Sequence, residues 1–79
     1  MKKYENKNNI TGNIIREYRI KQNLTKTELC RRLQLHAVYI DNTELNRMET
    51  GQMIIKDFEL IALCKALNIN YSDIKNLIE

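Results

Sequence analysis

The segment Leu24–Gly51, LTKTELCRRLQLHAVYIDNTELNRMETG, constrains this chain most. It contains two helix starts of one kind. Thr25-Lys26-Thr27-Glu28 and Asp41-Asn42-Thr43-Glu44 each set a cap oxygen three residues before a glutamate. In such a capping box the cap side chain accepts from the N–H three residues on, and the glutamate accepts from the N–H of the cap. Helix N-termini leave several N–H groups without partners, so two such acceptor pairs in one stretch predict two short helices. A connector of about His36 to Ile40 lies between them, and Glu49-Thr50-Gly51 ends the second. Two helices joined in this way form a helix-turn-helix unit. What the chain does would then follow from its second helix, Asn42 to Met48 or Glu49.

Apolar residues at helical spacing extend this pattern on both sides. A first helix is expected from Gly12 or Asn13 to Gln22, capped by Thr11, with Ile14, Ile15 and Tyr18 inward and Asn23 as a left-handed stop. The second runs from Lys26 to about Leu35, with Leu29, Cys30 and Leu33 inward and Arg31 and Arg32 outward. Val38 and Ile40 tuck inward from the connector, and Leu45 and Met48 are the core residues of the third helix. A fourth spans about Asp57 to Leu67, with Leu60, Leu63, Cys64 and Leu67 at i, i+3, i+4, i+7 and Asn68 as its stop. A fifth begins after Asn70 and carries Ile74, Leu77 and Ile78. The chain has no Pro and only two Gly in 79 residues, and no strand alternation of useful length. The expected fold is therefore all-α, a compact bundle of five short helices. An up-and-down bundle would need longer helices with wider stripes.

Composition removes several function classes. At 43% hydrophobic and 29% charged the chain reads as a globular protein, and residues 10–79 as one domain without a linker or repeat. So small a core gives marginal stability, which a partner subunit would raise. The net charge of +3 permits nucleic-acid binding without requiring it. No apolar run approaches a membrane span and no signal peptide precedes the domain, so a cytoplasmic protein with no membrane partner is expected. Residues 1–9 read as a disordered basic arm, with a groove-seeking tail as the alternative. Cys30 and Cys64 are too few for a zinc site or disulfide framework and sit on apolar stripes, as small buried residues do. His36 is the only histidine and falls in the connector. With no carboxylate pair in a pocket, nucleophile–base pair, metal cluster or phosphate-cradling loop, neither an enzyme nor a cofactor or metal is expected.

Four pieces of the chain, in order, resemble the Cro and phage-repressor (Xre-like) helix-turn-helix family. They are Ile15-Arg16 with Arg19, Leu24-Thr25-Lys26-Thr27-Glu28-Leu29, Leu45-Asn46-Arg47-Met48-Glu49-Thr50-Gly51, and Leu63-Cys64-Lys65-Ala66-Leu67-Asn68-Ile69. Together they cover roughly residues 10–77. Between Leu35 and Asp41 the chain is about five residues longer than the common spacing. There Leu33-Gln34-Leu35-His36-Ala37-Val38-Tyr39-Ile40 resembles a long-turn subclass with the pattern L-Q-L-x-G-I-x-I, with Ala37 in place of Gly. If that position needs φ > 0, alanine costs about 1 kcal/mol.

The resemblance implies a lambda-repressor-like DNA-binding domain that reads double-stranded operator DNA in the major groove with its third helix. It implies that Asn42, Thr43 and Arg47 face bases, with Asn46 nearby. The residue types suit this: Arg can bond guanine bidentately, Asn adenine, and a Thr methyl can touch thymine. Glu44 either completes its capping box or accepts from a cytosine amino group. Thr25, Lys26 and Thr27 at a helix N-terminus, and Gln52 after the third helix, would hold phosphates. Arg19 would pair with Glu49 as a buried structural ion pair, the alternative being a phosphate contact. Asp41–Glu49 holds three acids against one base, a net −2 that opposes docking on phosphate unless neutralised from within. The expected function is a sequence-specific transcriptional regulator acting as a repressor. A homodimer through Phe58, Ile61, Ile74, Leu77 and Ile78 is one option for its assembly. The alternative is a protein-binding adaptor or antitoxin-like module of the same fold.

Overall fold

The computed structural model describes residues 7–78, apart from the side chains of Tyr71, Leu77 and Ile78. Those residues form five α-helices and no strand: α1 (Gly12–Lys21), α2 (Lys26–Gln34), α3 (Asn42–Glu49), α4 (Asp57–Leu67) and α5 (Tyr71–Ile78). α3 and α4 each pack on both α1 and α2. Leu29, Leu33, Leu45, Leu63, Leu67, Ile15 and Ile74 close the core with almost no exposure.

Both capping boxes form. Thr25 Oγ1 accepts from the Glu28 N–H at 3.1 Å, and Glu28 Oε1 accepts from the Thr25 N–H at 3.0 Å. Asp41 Oδ1 accepts from the Glu44 N–H at 2.7 Å, and Glu44 Oε1 accepts from the Asp41 N–H at 3.2 Å. The Thr25 backbone N–H, followed by the Thr25 side chain and the charges of Arg32 and Arg31, holds the Glu28 carboxyl below its ordinary value. A depressed carboxylate stabilises the fold above its unfolded pKa, and that contribution is lost as the pH falls through the folded value.

The start of α1 differs from expectation. Thr11 lies in the helical region (φ −108°, ψ −12°) and makes no side-chain cap bond. Asn9 takes that role: its Oδ1 accepts from the Gly12 N–H at 2.8 Å. Thr11 already has helical dihedrals, so its hydroxyl is not set against the first free N–H groups, whereas Asn9 stands the cap distance of three residues before Gly12. Residues 7–9 are accordingly tied to the body rather than part of a disordered arm. The rest of that expected arm, residues 1–6, lies outside the described residues.

Four helices end in one backbone device. Asn23, Ala37, Gly51 and Asn68 have φ of 58°, 61°, 81° and 57°. In each case the next N–H reaches five residues back: Leu24 to Arg19 at 3.1 Å, Val38 to Leu33 at 3.0 Å, Gln52 to Arg47 at 2.8 Å, and Ile69 to Cys64 at 2.8 Å. This is the Schellman motif, which satisfies the last carbonyls and turns the chain sharply. Asn and Gly suit the left-handed residue, and Ala37 does not. Val38 and Leu33, the pair that closes the α2 motif, are both buried.

Two side chains add donors at the end of α4. Gln22 Nε2 bonds the Leu67 carbonyl at 2.7 Å, and an Arg32 Nη bonds that of Ala66 at 3.2 Å. Arg32 is thus engaged within the fold and not simply a solvated charge. Cys30 and Cys64 are buried. Burial pushes both thiols up, and at Cys30 the charges of Asp41, Glu49 and Glu44 add to it. Of the residues considered for a subunit contact, Ile74 belongs to the core, while Phe58 and Ile61 are exposed.

Gly12 sits where α1 meets the end of α3: a Cβ there would fall on the Met48 carbonyl oxygen. We expect Gly12→Ala to destabilise the fold by about 1–3 kcal/mol through this backbone clash. Ala37→Gly should stabilise it by about 1 kcal/mol by relieving the left-handed residue. Urea denaturation midpoints measure both; an Ala37→Gly protein no more stable than the parent would contradict the account of the turn.

Candidate nucleic-acid interface

α3 divides cleanly into two faces. Leu45, Met48 and Glu49 point inward and are buried, while Asn42, Thr43, Asn46 and Arg47 are exposed. At 100° per residue the four exposed positions occupy one continuous arc. The four residue types suited to base edges therefore share a single surface, backed by two core side chains and an ion pair.

That ion pair is a fork. Arg19 Nε lies 2.7 Å from Glu49 Oε2, a terminal nitrogen lies 3.0 Å from Glu49 Oε1, and the other donates to the Leu24 carbonyl at 2.9 Å. The side chains are 9% and 1% exposed. The Glu49 hydrogen bond holds the guanidinium firmly protonated, its pKa raised against the opposing effect of burial. All three Arg19 nitrogens thus have partners inside the domain. The acidity of α3 is reduced by the same contact: Glu49 is neutralised, and Asp41 and Glu44 accept the N–H groups of the helix start.

At the N-terminal end of α3, Asn42 joins the two helices. Its Nδ2 donates to Thr27 Oγ1 at 2.9 Å, and its Oδ1 accepts from Cys30 Sγ at 3.5 Å. A primary amide has two donors and two lone pairs, so these bonds leave one of each for an outside partner. The Asn42 contact brings Thr27 beside the start of α3, with Lys26 and Thr25 next to it in the chain. Thr25 and Thr27 are exposed and Lys26 is half-buried. Thr25 Oγ1 already accepts the cap bond but keeps its O–H to donate.

At the other end, Thr50 Oγ1 donates to the Asn46 carbonyl at 2.9 Å, and the turn at Gly51 leaves Gln52 exposed. The segment before α1 fastens this loop. Lys7 Nζ donates to the Thr50 carbonyl at 3.0 Å, and the Asn8 N–H to that of Gly51 at 2.8 Å. Asn8 Nδ2 reaches the Gln52 carbonyl at 2.9 Å, and Asn9 Nδ2 those of Met48 and Met53 at 2.9 and 2.7 Å. Asn9 thus binds the start of α1, the end of α3 and the following loop at once. Sequence reasoning missed this hub, although the Asn9-x-x-Gly12 spacing was a signal for it. Gln52 is not brought to Thr25–Thr27; about 12 Å of helix separates the two ends of α3.

Removing one partner of the fork leaves a charge buried without compensation. We expect Arg19→Met or Glu49→Met to cost about 3–5 kcal/mol each, and the double variant Arg19→Met/Glu49→Met to recover part of the summed loss. Thermal and urea unfolding measure these differences. A loss in the double variant equal to the sum of the two single losses would show that the pair carries no coupling.

Among the described residues no helix is long and apolar enough to cross a membrane. Comparison with curated proteins and with solved structures gave no match. A family model described as helix-turn-helix matches residues 15–74, from inside α1 to inside α5 and including all of α2, α3 and α4. With that match over most of its length, the chain belongs to the helix-turn-helix family of the Cro and phage-repressor type, whose members are DNA-binding regulators and in general not enzymes.

Proposed function

We propose that this chain is a sequence-specific transcriptional repressor, working in the cytoplasm as a homodimer on operator DNA. The observation that carries the reading is the exposed arc of Asn42, Thr43, Asn46 and Arg47 on a helix whose opposite face is anchored in the core. In this reading α3 enters the major groove. Arg47 bonds guanine O6 and N7, and the free donor and acceptor of Asn42 pair with the edge of an adenine. The Thr43 methyl meets a thymine methyl, and Asn46 bonds a neighbouring base.

Phosphates on the flanks fix the register. Lys26 supplies a point charge, the hydroxyls of Thr25 and Thr27 and the N-terminal end of α2 supply donors, and Gln52 holds the backbone beyond the far end of α3. The fastening of Lys7, Asn8 and Asn9 on the Thr50–Met53 loop supports the role of Gln52, because a phosphate ligand gains from a backbone that does not need ordering on contact. Repression requires only that the operator be occupied, which a body of this kind does without further machinery.

A selection of bound duplexes from random DNA followed by binding measurements tests the assignments. Arg47→Ala should relax preference at one base position and weaken specific binding by about 1–3 kcal/mol. Lys26→Ala should weaken binding to all sequences alike and flatten the slope of log K against log salt by about 0.9. If Arg47→Ala weakened specific and random DNA equally, the base-reading role would be wrong. Absence of binding to any duplex at low salt would instead favour a protein-binding module on this fold.

A further inference from the structure

Among the described residues, one face of α4 is left uncovered. Around its axis Glu59, Ala62, Leu63, Cys64, Ala66 and Leu67 are buried, and the exposed positions are Asp57, Phe58, Ile61 and Lys65. These fall on a single arc of about 100°. Phe58 and Ile61 are 55% and 56% exposed, and Ile54, just before the helix, is 65% exposed. Beside this face lies a groove of about 500 Å³ walled by Leu60, Ile61, Cys64 and Ile69, with Asp57 and Lys65 along its length. Neither Asp57 nor Lys65 forms a salt bridge among the described residues.

The order of residues along this face is symmetric. Asp57 stands four residues before Ile61 and Lys65 four residues after it, so opposite charges lie about 6 Å along the axis on either side of an apolar centre. A face of that kind is complementary to its own copy turned end for end. We propose that the exposed face of α4 is the contact between two copies of this chain, packed antiparallel about a two-fold axis at Ile61. This rests on the dimeric part of the reading above and gives it a surface.

In this arrangement Ile61 meets Ile61 of the second copy. Each Asp57 faces the other copy's Lys65, and the Phe58 of each copy flanks this apolar centre. The contact is isologous, so every pair occurs twice and the assembly closes at two copies. Asp57 at the first turn and Lys65 at the last also suit the dipole of their own helix, so this charge pattern costs the monomer nothing. An acidic or basic partner, or an anionic surface, would meet one favourable and one unfavourable end, and only an antiparallel partner meets two favourable ends.

Sedimentation of the full chain without DNA tests the proposal separately from DNA reading. The wild-type protein should self-associate reversibly. Asp57→Lys and Lys65→Asp should each weaken association by about tenfold or more, because both symmetric contacts then juxtapose like charges. An equimolar mixture of the two variants should associate again as a heterodimer. The introduced lysine of one copy then faces the introduced aspartate of the other, and the native Lys65 of the first faces the native Asp57 of the second. Ile61→Cys should form a disulfide-linked dimer under mild oxidation, whereas Ile20→Cys, at an exposed apolar position of α1, should not; this readout stands even where a charge variant fails to fold. A wild-type chain that stays monomeric at every soluble concentration overturns the proposal. So do single variants that associate like the parent, or a mixture that associates no better than its parts. Loss of operator binding by a chain that still pairs through α4 would count against the DNA reading alone.

Discussion

The Arg19–Glu49 fork is the contact on which the rest of the domain depends. One guanidinium joins α1 to the last residue of α3 and, through the Leu24 carbonyl, to the turn that leads into α2. Three elements that diverge in sequence are thereby fixed by one planar group with donors in a rigid geometry, which a lysine could not reproduce. The pair also addresses an electrostatic problem. α3 is acidic by composition, and a helix that is to approach phosphates must shed that charge without losing its caps. Burying Glu49 against Arg19 removes one acid from the surface, and the capping box at Asp41 and Glu44 turns the other two into acceptors for N–H groups.

The domain is small, so its precision comes from closed helix ends rather than from a large core. Reciprocal acceptors begin α2 and α3, and a left-handed residue ends α1, α2, α3 and α4. The face proposed to meet DNA is built from those same ends. The α2 start carries the proposed phosphate donors, the α3 start is tied to it by Asn42 and Thr27, and the turn after α3 presents Gln52. Positions on well-closed helix ends lose little freedom on binding, which favours both affinity and a defined register. The segment Lys7–Asn9 extends this logic, since its bonds go to backbone carbonyls of the α3 end and its loop.

Much of this was legible in the sequence because helix capping is local. Thr25-x-x-Glu28 and Asp41-x-x-Glu44 encode their geometry within four residues, and Asn23 and Asn68 mark left-handed stops by residue type. The boundaries of α3 and α4 and the inward set Leu29, Leu33, Leu45 and Leu63 follow from periodicity. What escaped depends on contacts between distant residues. Asn9 serves carbonyls about forty positions away, and local sequence alone points to the nearer Thr11 as the α1 cap. Arg32 is exposed, as its place on α2 predicts, but nothing near it in sequence announces its bond to the Ala66 carbonyl. Ile74 and Phe58 looked alike as apolar helix residues, and only packing separates a core side chain from an exposed one. For the site, the residue types and their arc were readable, whereas the engagement of Asn42 by Thr27 and Cys30 was not, because it joins two helices across the turn.

In the proposed reading α3, flanked by the α2 start and the loop after α3, is the surface that meets DNA. Titrating isotopically labelled protein with a selected operator duplex and following backbone amide resonances tests it most directly. The largest shifts are expected at Thr25–Thr27, Asn42–Arg47 and Thr50–Gln52. Shifts concentrated on α4, or at the turn around Leu35 and Tyr39, with α3 unchanged, would contradict it.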